Sequence, residues 1–154
     1  MTDPDVTAQF TTLFLLAFTL TLACRFWLTL RHIRFVAAHR DKVPLDFAER
    51  IALSSHQKAA DYTVDRNKAS IFPTLIDAAM LLALTLGGGL SWLHEFWTAR
   101  IDGIGYGLAM IFSLMLISGL IDLPLSLYRQ FVIEARYGFN RMTVGLFFAD
   151  LAKQ

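Results

Sequence analysis

The chain reads as long apolar blocks separated by polar, charge-bearing stretches. From Val6 to Ala23 no residue carries a charge, and the block closes at Arg25. A second block opens at Ile71 and continues after Asp77 as AAMLLALTLGGGLSWLH, and a third, IGYGLAMIFSLMLISGLI, follows Gly103 and passes Asp122 to reach Tyr128. Each block has the roughly 20 residues that a helix rising about 1.5 Å per residue needs to cross about 30 Å of hydrocarbon. The pattern predicts an all-α integral membrane fold with spans at about 8–30, 70–93 and 104–128. A soluble bundle is the rival, but three helices apolar all round would leave this short chain too little polar surface to cover them.

Composition sharpens this. The chain has 154 residues, 55% hydrophobic and 18% charged, with a formal net charge of +1. Without a surplus of Lys and Arg, a nucleic-acid module is excluded, because phosphate binding needs one. The lone cysteine, Cys24, excludes a disulfide framework and a thiolate zinc site. The first block is read as a retained helix and not as a cleaved leader, since Asp3 and Asp5 precede it with no Lys or Arg. Leu22-Ala23-Cys24 has a lipoprotein-like look, but Thr21 stands where a large aliphatic residue is required.

Basic residues set the expected orientation. Arg31, Arg34, Arg40, Lys42, Arg50, Lys58, Arg66 and Lys68 follow the first span, and Arg129, Arg136 and Arg141 follow the third, while the loop between spans two and three holds only Arg100. The positive-inside bias then places the N-terminus outside and the segments 31–69 and 129–154, including the loop 129–143, in the cytoplasm; a bacterial chain would lie in the inner membrane. In the first cytoplasmic segment, Pro44 followed by Asp46 and Glu49 predicts a helix start with a capping box, and Phe47, Ile51 and Ala59 give a modestly amphipathic helix reaching toward Tyr62. It is read either as a helix lying on the membrane or against another cytoplasmic region, or as a solvated connector.

Candidate chemistry is sparse. A helical H-E-x-x-H zinc site needs two imidazoles one turn apart, but four residues after His94-Glu95 stands Thr98. His32, His39 and His56 lack metal-ligand spacing, and Trp92 and Trp97 read as interface anchors. Gly103, Gly105 and Gly107 open an apolar span and follow no strand, so they do not form a phosphate loop. The sequence therefore offers no catalytic residue, no metal ligand and no cofactor site in this chain. What remains is ionisable: Arg25, Asp77 and Asp122 each fall about six or seven residues inside the cytoplasmic end of a span. At about 1.5 Å per residue they share a depth of roughly 10 Å, where they either pair and line a wet cavity or snorkel to the surface.

The most specific signal lies after the third span. Leu123-Pro124 is followed by Phe131, Glu134, Gly138, Phe139, Asn140 and Thr143, an F-x-x-E-x-x-x-G-F-N run leading to Thr. This run resembles a hallmark of the CAAX prenyl protease family of integral-membrane zinc metalloendopeptidases, the a-factor-converting type. The segment His56-Gln57-Lys58-Ala59-Ala60-Asp61-Tyr62-Thr63 is similar to the bacterial branch of that family. The resemblance implies the N-terminal membrane domain of a seven-span barrel. In that family zinc is held by an H-E-x-x-H helix and a downstream Glu in a C-terminal half, so zinc is expected only in full-length relatives. Val144, Phe147, Phe148 and Leu151 fall on one helical face, and in relatives such a helix leads into a fourth span.

The implied partners are the lipid bilayer, a C-terminal catalytic half or a complementing chain, and prenylated or other membrane-associated peptides, with no nucleic acid. Read from the residues alone, Gly138 supplies a tight turn, Asn140 bonds nearby main chain and Phe139 anchors the turn. That reading favours a structural role for the motif at the mouth of a chamber over direct chemistry by Glu134. Two functions stay open: the non-catalytic membrane portion of such a protease, or a stand-alone multi-pass protein acting as a binding scaffold.

Overall fold

The computed structural model describes residues 4–151 and residue 153. Asp3, weighed above, lies outside them. Regular structure among the described residues is entirely helical: α1 (Pro4–Ala38), a 3₁₀ turn (Leu45–Phe47), α2 (Leu53–Thr85), α3 (Gly89–Thr98), α4 (Gly103–Tyr128), a π-helical turn (Arg129–Glu134), the short α5 (Ala135–Tyr137) and α6 (Val144–Leu151). Three helical stretches, Asp5–Ala38, Leu53–Thr85 and Gly103–Glu134, are long and apolar enough to cross a membrane.

In α1 and α2 several threonine hydroxyls are satisfied within the helix. Thr11, Thr12, Thr21, Thr74 and Thr85 each donate the side-chain hydroxyl to the carbonyl four residues back, at 2.6–2.9 Å. Such back-bonding is what a hydroxyl needs where no water is available. Apolar side chains point outward instead: among the described residues only Ala60, Leu93 and Ile133 are buried hydrophobics, whereas Leu16, Leu20, Phe112 and Leu116 are all more than 60% exposed. A soluble domain would bury such side chains, at about 1.5–3 kcal/mol each.

The chain divides into two compact units, Met1–Lys68 and Ala69–Gln154. The first holds α1, the connector and the start of α2. The boundary falls inside α2, just before Pro73, which has no N–H to give to the Ala69 carbonyl and so interrupts the ladder there. The second unit holds the rest of α2 and everything after it.

Two expectations are corrected. The second apolar block is not one helix over 70–93: α2 ends at Thr85 and α3 begins afresh at Gly89. Gly88 adopts φ 78°, a left-handed backbone, and a Cβ on Gly87 would stand 2.6 Å from the Ala83 carbonyl oxygen, so the glycines break the helix that hydropathy alone would continue. The connector helix does not start at Asp46 through a capping box either. Leu45–Phe47 forms a single 3₁₀ turn with no side-chain cap, and the helix starts at Leu53 and runs directly into the second span.

The glycine positions make opposite predictions. Gly88→Ala places an L side chain in the left-handed region and should cost about 1–2 kcal/mol, lowering the thermal midpoint in detergent. Gly107→Ala, where an added Cβ meets nothing within 4 Å in the middle of a helix, should be neutral or stabilise by about 0.5–1 kcal/mol. Equal midpoints for the two variants would contradict the assigned break.

Candidate functional site

Two local assemblies of polar side chains stand out among the described residues. The first ties the connector to the first turns of α2. Arg40, just beyond α1, faces Asp61 through two parallel bonds, Nε to Oδ1 at 2.6 Å and Nη2 to Oδ2 at 2.9 Å. Its Nη1 also donates to Asp41 at 2.9 Å. Asp41 in turn accepts from Gln57 Nε2 at 2.8 Å, and His56 Nε2 meets the His39 carbonyl at 3.0 Å, which fixes that nitrogen as the protonated one. The two carboxylates hold the Arg40 guanidinium above its ordinary pKa, with the Asp61 hydrogen bonds the largest cause. A forked guanidinium–carboxylate pair carries orientation as well as charge, so the clamp fixes where the chain leaves α1 and re-enters helix. Three residues of the run His56 to Thr63, namely His56, Gln57 and Asp61, supply its α2 side.

The second assembly is the motif after the third span. Beyond α4 the backbone widens into the π-helical turn Arg129–Glu134, so the following residues are offset by one position from a continuous α-helix. The helix then closes in a Schellman motif: Phe139 N–H bonds the Glu134 carbonyl at 2.9 Å and Gly138 N–H bonds the Ala135 carbonyl at 3.1 Å. Gly138 takes the left-handed conformation this closure demands, φ 78° and ψ 18°. Asn140 follows, its Oδ1 accepting from Gln130 Nε2 at 3.0 Å and from the Met142 N–H at 2.8 Å. Thr143 caps α6, its Oγ1 accepting from the Leu146 N–H at 3.3 Å. Phe131 packs edge-to-face on Phe147 of α6, ring centres 5.9 Å apart at 66°.

The expected residues therefore separate by role. Phe131, Gly138, Asn140 and Thr143 act together in one turn, with the main chain of Glu134 as its acceptor; Phe139 contributes its N–H while its side chain is 54% exposed. On α6, Phe147 is partly covered, whereas Val144 and Phe148 are exposed, and the Leu151 side chain lies outside what is described. Arg25 is exposed on α1 in the first unit. In the second unit Asp77 and Asp122 are exposed, three residues before Met80 and four after Ser118, whose side chains meet at 4.0 Å. Both aspartates thus stand about one helical turn from that contact.

His94 of α3 meets Tyr106 of α4. Its Nδ1 lies 2.8 Å from the Tyr106 hydroxyl, with the two rings edge-to-face, and no group of three or more His, Cys, Asp or Glu among the described residues is placed to hold a metal ion. Trp97 joins α3 to α4: its indole N–H donates to Ser113 Oγ at 2.9 Å. Sequence reasoning missed the π-helical turn, which has no composition signature, and the Arg40–Asp61 fork, whose partners lie 21 residues apart.

With this geometry in place, likeness to known proteins becomes informative. Residues 32–154 match a family model described as CAAX prenyl protease N-terminal, five membrane helices. A probable CAAX prenyl protease 1 from Schizosaccharomyces pombe is 32% identical over 129 residues, covering 75% of this chain and 27% of that protein. A CAAX prenyl protease 1 homolog from Caenorhabditis elegans is 31% identical over 119 residues, covering 76% of this chain and 26% of the relative. The crystal structure of S. mikatae Ste24p superposes with a TM-score of 0.79 at 26% identity, over 89% of this chain and 33% of that one. The chain thus spans about a quarter of the length of the curated relatives it matches.

The two assemblies are separable by mutation. Asp61→Asn removes the charged half of the fork and should speed tryptic cleavage after Arg40, Lys42 and Arg50 while leaving the 139–143 turn unchanged. In the second unit, Gly138→Ala should cost about 1–2 kcal/mol of turn stability and Asn140→Ala about 1 kcal/mol. Both should raise hydrogen exchange at 139–146 without changing proteolysis of the connector. Connector cleavage that responds to Asn140→Ala, or exchange at the turn that ignores Gly138→Ala, would contradict these assignments.

Proposed function

The chain belongs to the CAAX prenyl protease family, through that family's N-terminal membrane domain, and from this premise we propose that it is the non-catalytic membrane portion of a zinc metalloendopeptidase and walls part of a membrane chamber. The observation that supports a non-catalytic role is the commitment of the motif. Gly138, Asn140 and Thr143 all serve to close one helix and start the next. A turn of that kind positions α6 relative to the end of the third span, which suits the rim of a chamber.

In this reading the zinc ligands and the water-activating carboxylate come from a C-terminal half, in the same protein or in a complementing chain. Zinc supplies the activated water when bound there. This chain's residues then wall the cavity and set the approach of a prenylated peptide. The N-terminus lies outside, and the segments 31–69 and 129–143 face the cytoplasm, as the basic residues favour. In this reading Asp77 and Asp122 line the chamber, where water keeps their carboxylates solvated.

Complementation tests the reading. The 154-residue chain co-expressed with a second chain carrying the H-E-x-x-H half of a relative should co-purify with it, and cleavage of a prenylated CAAX peptide should require both. Zinc should follow the second chain. Stoichiometric zinc or peptide cleavage with the 154-residue chain alone would overturn a non-catalytic role, and failure of the two chains to associate would remove the chamber.

A further inference from the structure

The polar end of α1 carries an arrangement that neither the connector clamp nor the motif turn uses. Trp27, Arg31 and Arg34 follow one another at steps of four and three residues, so they lie on one face of the helix. Leu20 and Leu16 continue that face toward the N-terminus, seven and eleven residues before Trp27. All five are exposed, Leu16 at 63%, Leu20 at 66% and Trp27 at 59%. The Arg31 guanidinium lies 5.3 Å from the centre of the Trp27 ring, which holds it beside the indole. Among the described interactions no carboxylate pairs with Arg31 or Arg34.

From this we propose that the stripe Leu16, Leu20, Trp27, Arg31 and Arg34 is a binding site for one anionic phospholipid. Chemistry and dimensions agree along its length. Leu16 lies about 16 Å from Trp27 along the helix axis, close to the depth of one leaflet of a bilayer whose hydrocarbon core is about 30 Å thick. An acyl chain therefore runs along the leucines while the indole sits at the level of the ester groups, where tryptophan partitions. One turn further, Arg31 and Arg34 present two guanidinium forks to the headgroup phosphate. Arginine suits a phosphodiester because its planar donors match two phosphate oxygens at once. Charge complementarity selects the ligand: two exposed arginines without a protein carboxylate favour a net anionic lipid over a zwitterionic one, whose own ammonium group offsets the phosphate.

Quenching by brominated lipid tests the site in the full 154-residue chain. The protein is reconstituted in phosphatidylcholine vesicles containing either brominated phosphatidylglycerol or brominated phosphatidylcholine. Each protein is measured with and without Trp27→Phe, so that the difference reports Trp27 alone. Brominated phosphatidylglycerol should quench this signal preferentially. Because a basic residue near an anionic surface contributes about a fivefold preference, Arg34→Gln should reduce the preference about fivefold and R31Q/R34Q on the order of twentyfold. Arg34 contacts no other side chain among the described interactions, so its replacement leaves the helix intact. Lys42→Gln removes a cation from the adjacent connector and should leave the preference unchanged. Equal quenching by the two lipids, an unchanged preference in Arg34→Gln and R31Q/R34Q, or an equal loss in Lys42→Gln would overturn the site. No quenching of Trp27 by either lipid would show that protein covers this face, and would overturn it too.

Discussion

A helix that is apolar on every face has nowhere to place a polar group except inside itself. The apolar stretches of α1 and α2 obey this constraint, and much of the structure follows from it. Their threonines return hydroxyls to their own backbone, and only Ala60, Leu93 and Ile133 are buried hydrophobics among the described residues. In water such helices would expose far more apolar surface than they cover. In hydrocarbon the same surface costs nothing, and the penalty shifts to unsatisfied backbone. That is why the break between α2 and α3 falls where a special residue makes it affordable, at Gly88 with its positive φ.

The polar side chains work at the helix ends instead. Arg40, Asp41, His56, Gln57 and Asp61 spend their hydrogen bonds on holding the connector, and Asn140 and Thr143 spend theirs on the passage from the third span to α6. Each assembly lies within one compact unit and uses partners no more than about two dozen residues apart, so it forms from local chain contacts as soon as the flanking helices exist. Long-range burial, the usual source of stability in a soluble domain, contributes little here.

How much of this the sequence discloses depends on the range of the signal. The three spans are legible because hydropathy integrates over some twenty residues, and α6 is legible because Val144, Phe147 and Phe148 fall at helical spacing. The split of the second block at Gly87-Gly88 was not inferred, because membrane helices tolerate glycine and composition does not say which one takes a positive φ. The Asp46–Glu49 pattern misled for the opposite reason: the local cap signal yields only a single 3₁₀ turn, and the helix starts later, at Leu53. In the motif the residue types were legible and their roles only partly so. Gly138 and Asn140 do what their chemistry predicts, whereas the π-helical turn that offsets them leaves no trace in the sequence.

The motif also explains how a chain can be placed in a protease family by residues whose hydrogen bonds build a turn. A Schellman closure needs glycine at its left-handed position, an Asx turn needs a short side chain with an acceptor oxygen, and a helix start needs a hydroxyl or carboxylate. Strung together behind a π-helical turn, these requirements fix residue types at 138, 140 and 143 and an aromatic at 131 that reaches α6. The pattern is specific because the geometry is demanding, and a demanding geometry is equally specific whether or not a metal lies nearby. Recognition through such a motif identifies the scaffold of an enzyme, and the chemistry has to be located separately, in residues whose hydrogen bonds are not already committed to the fold.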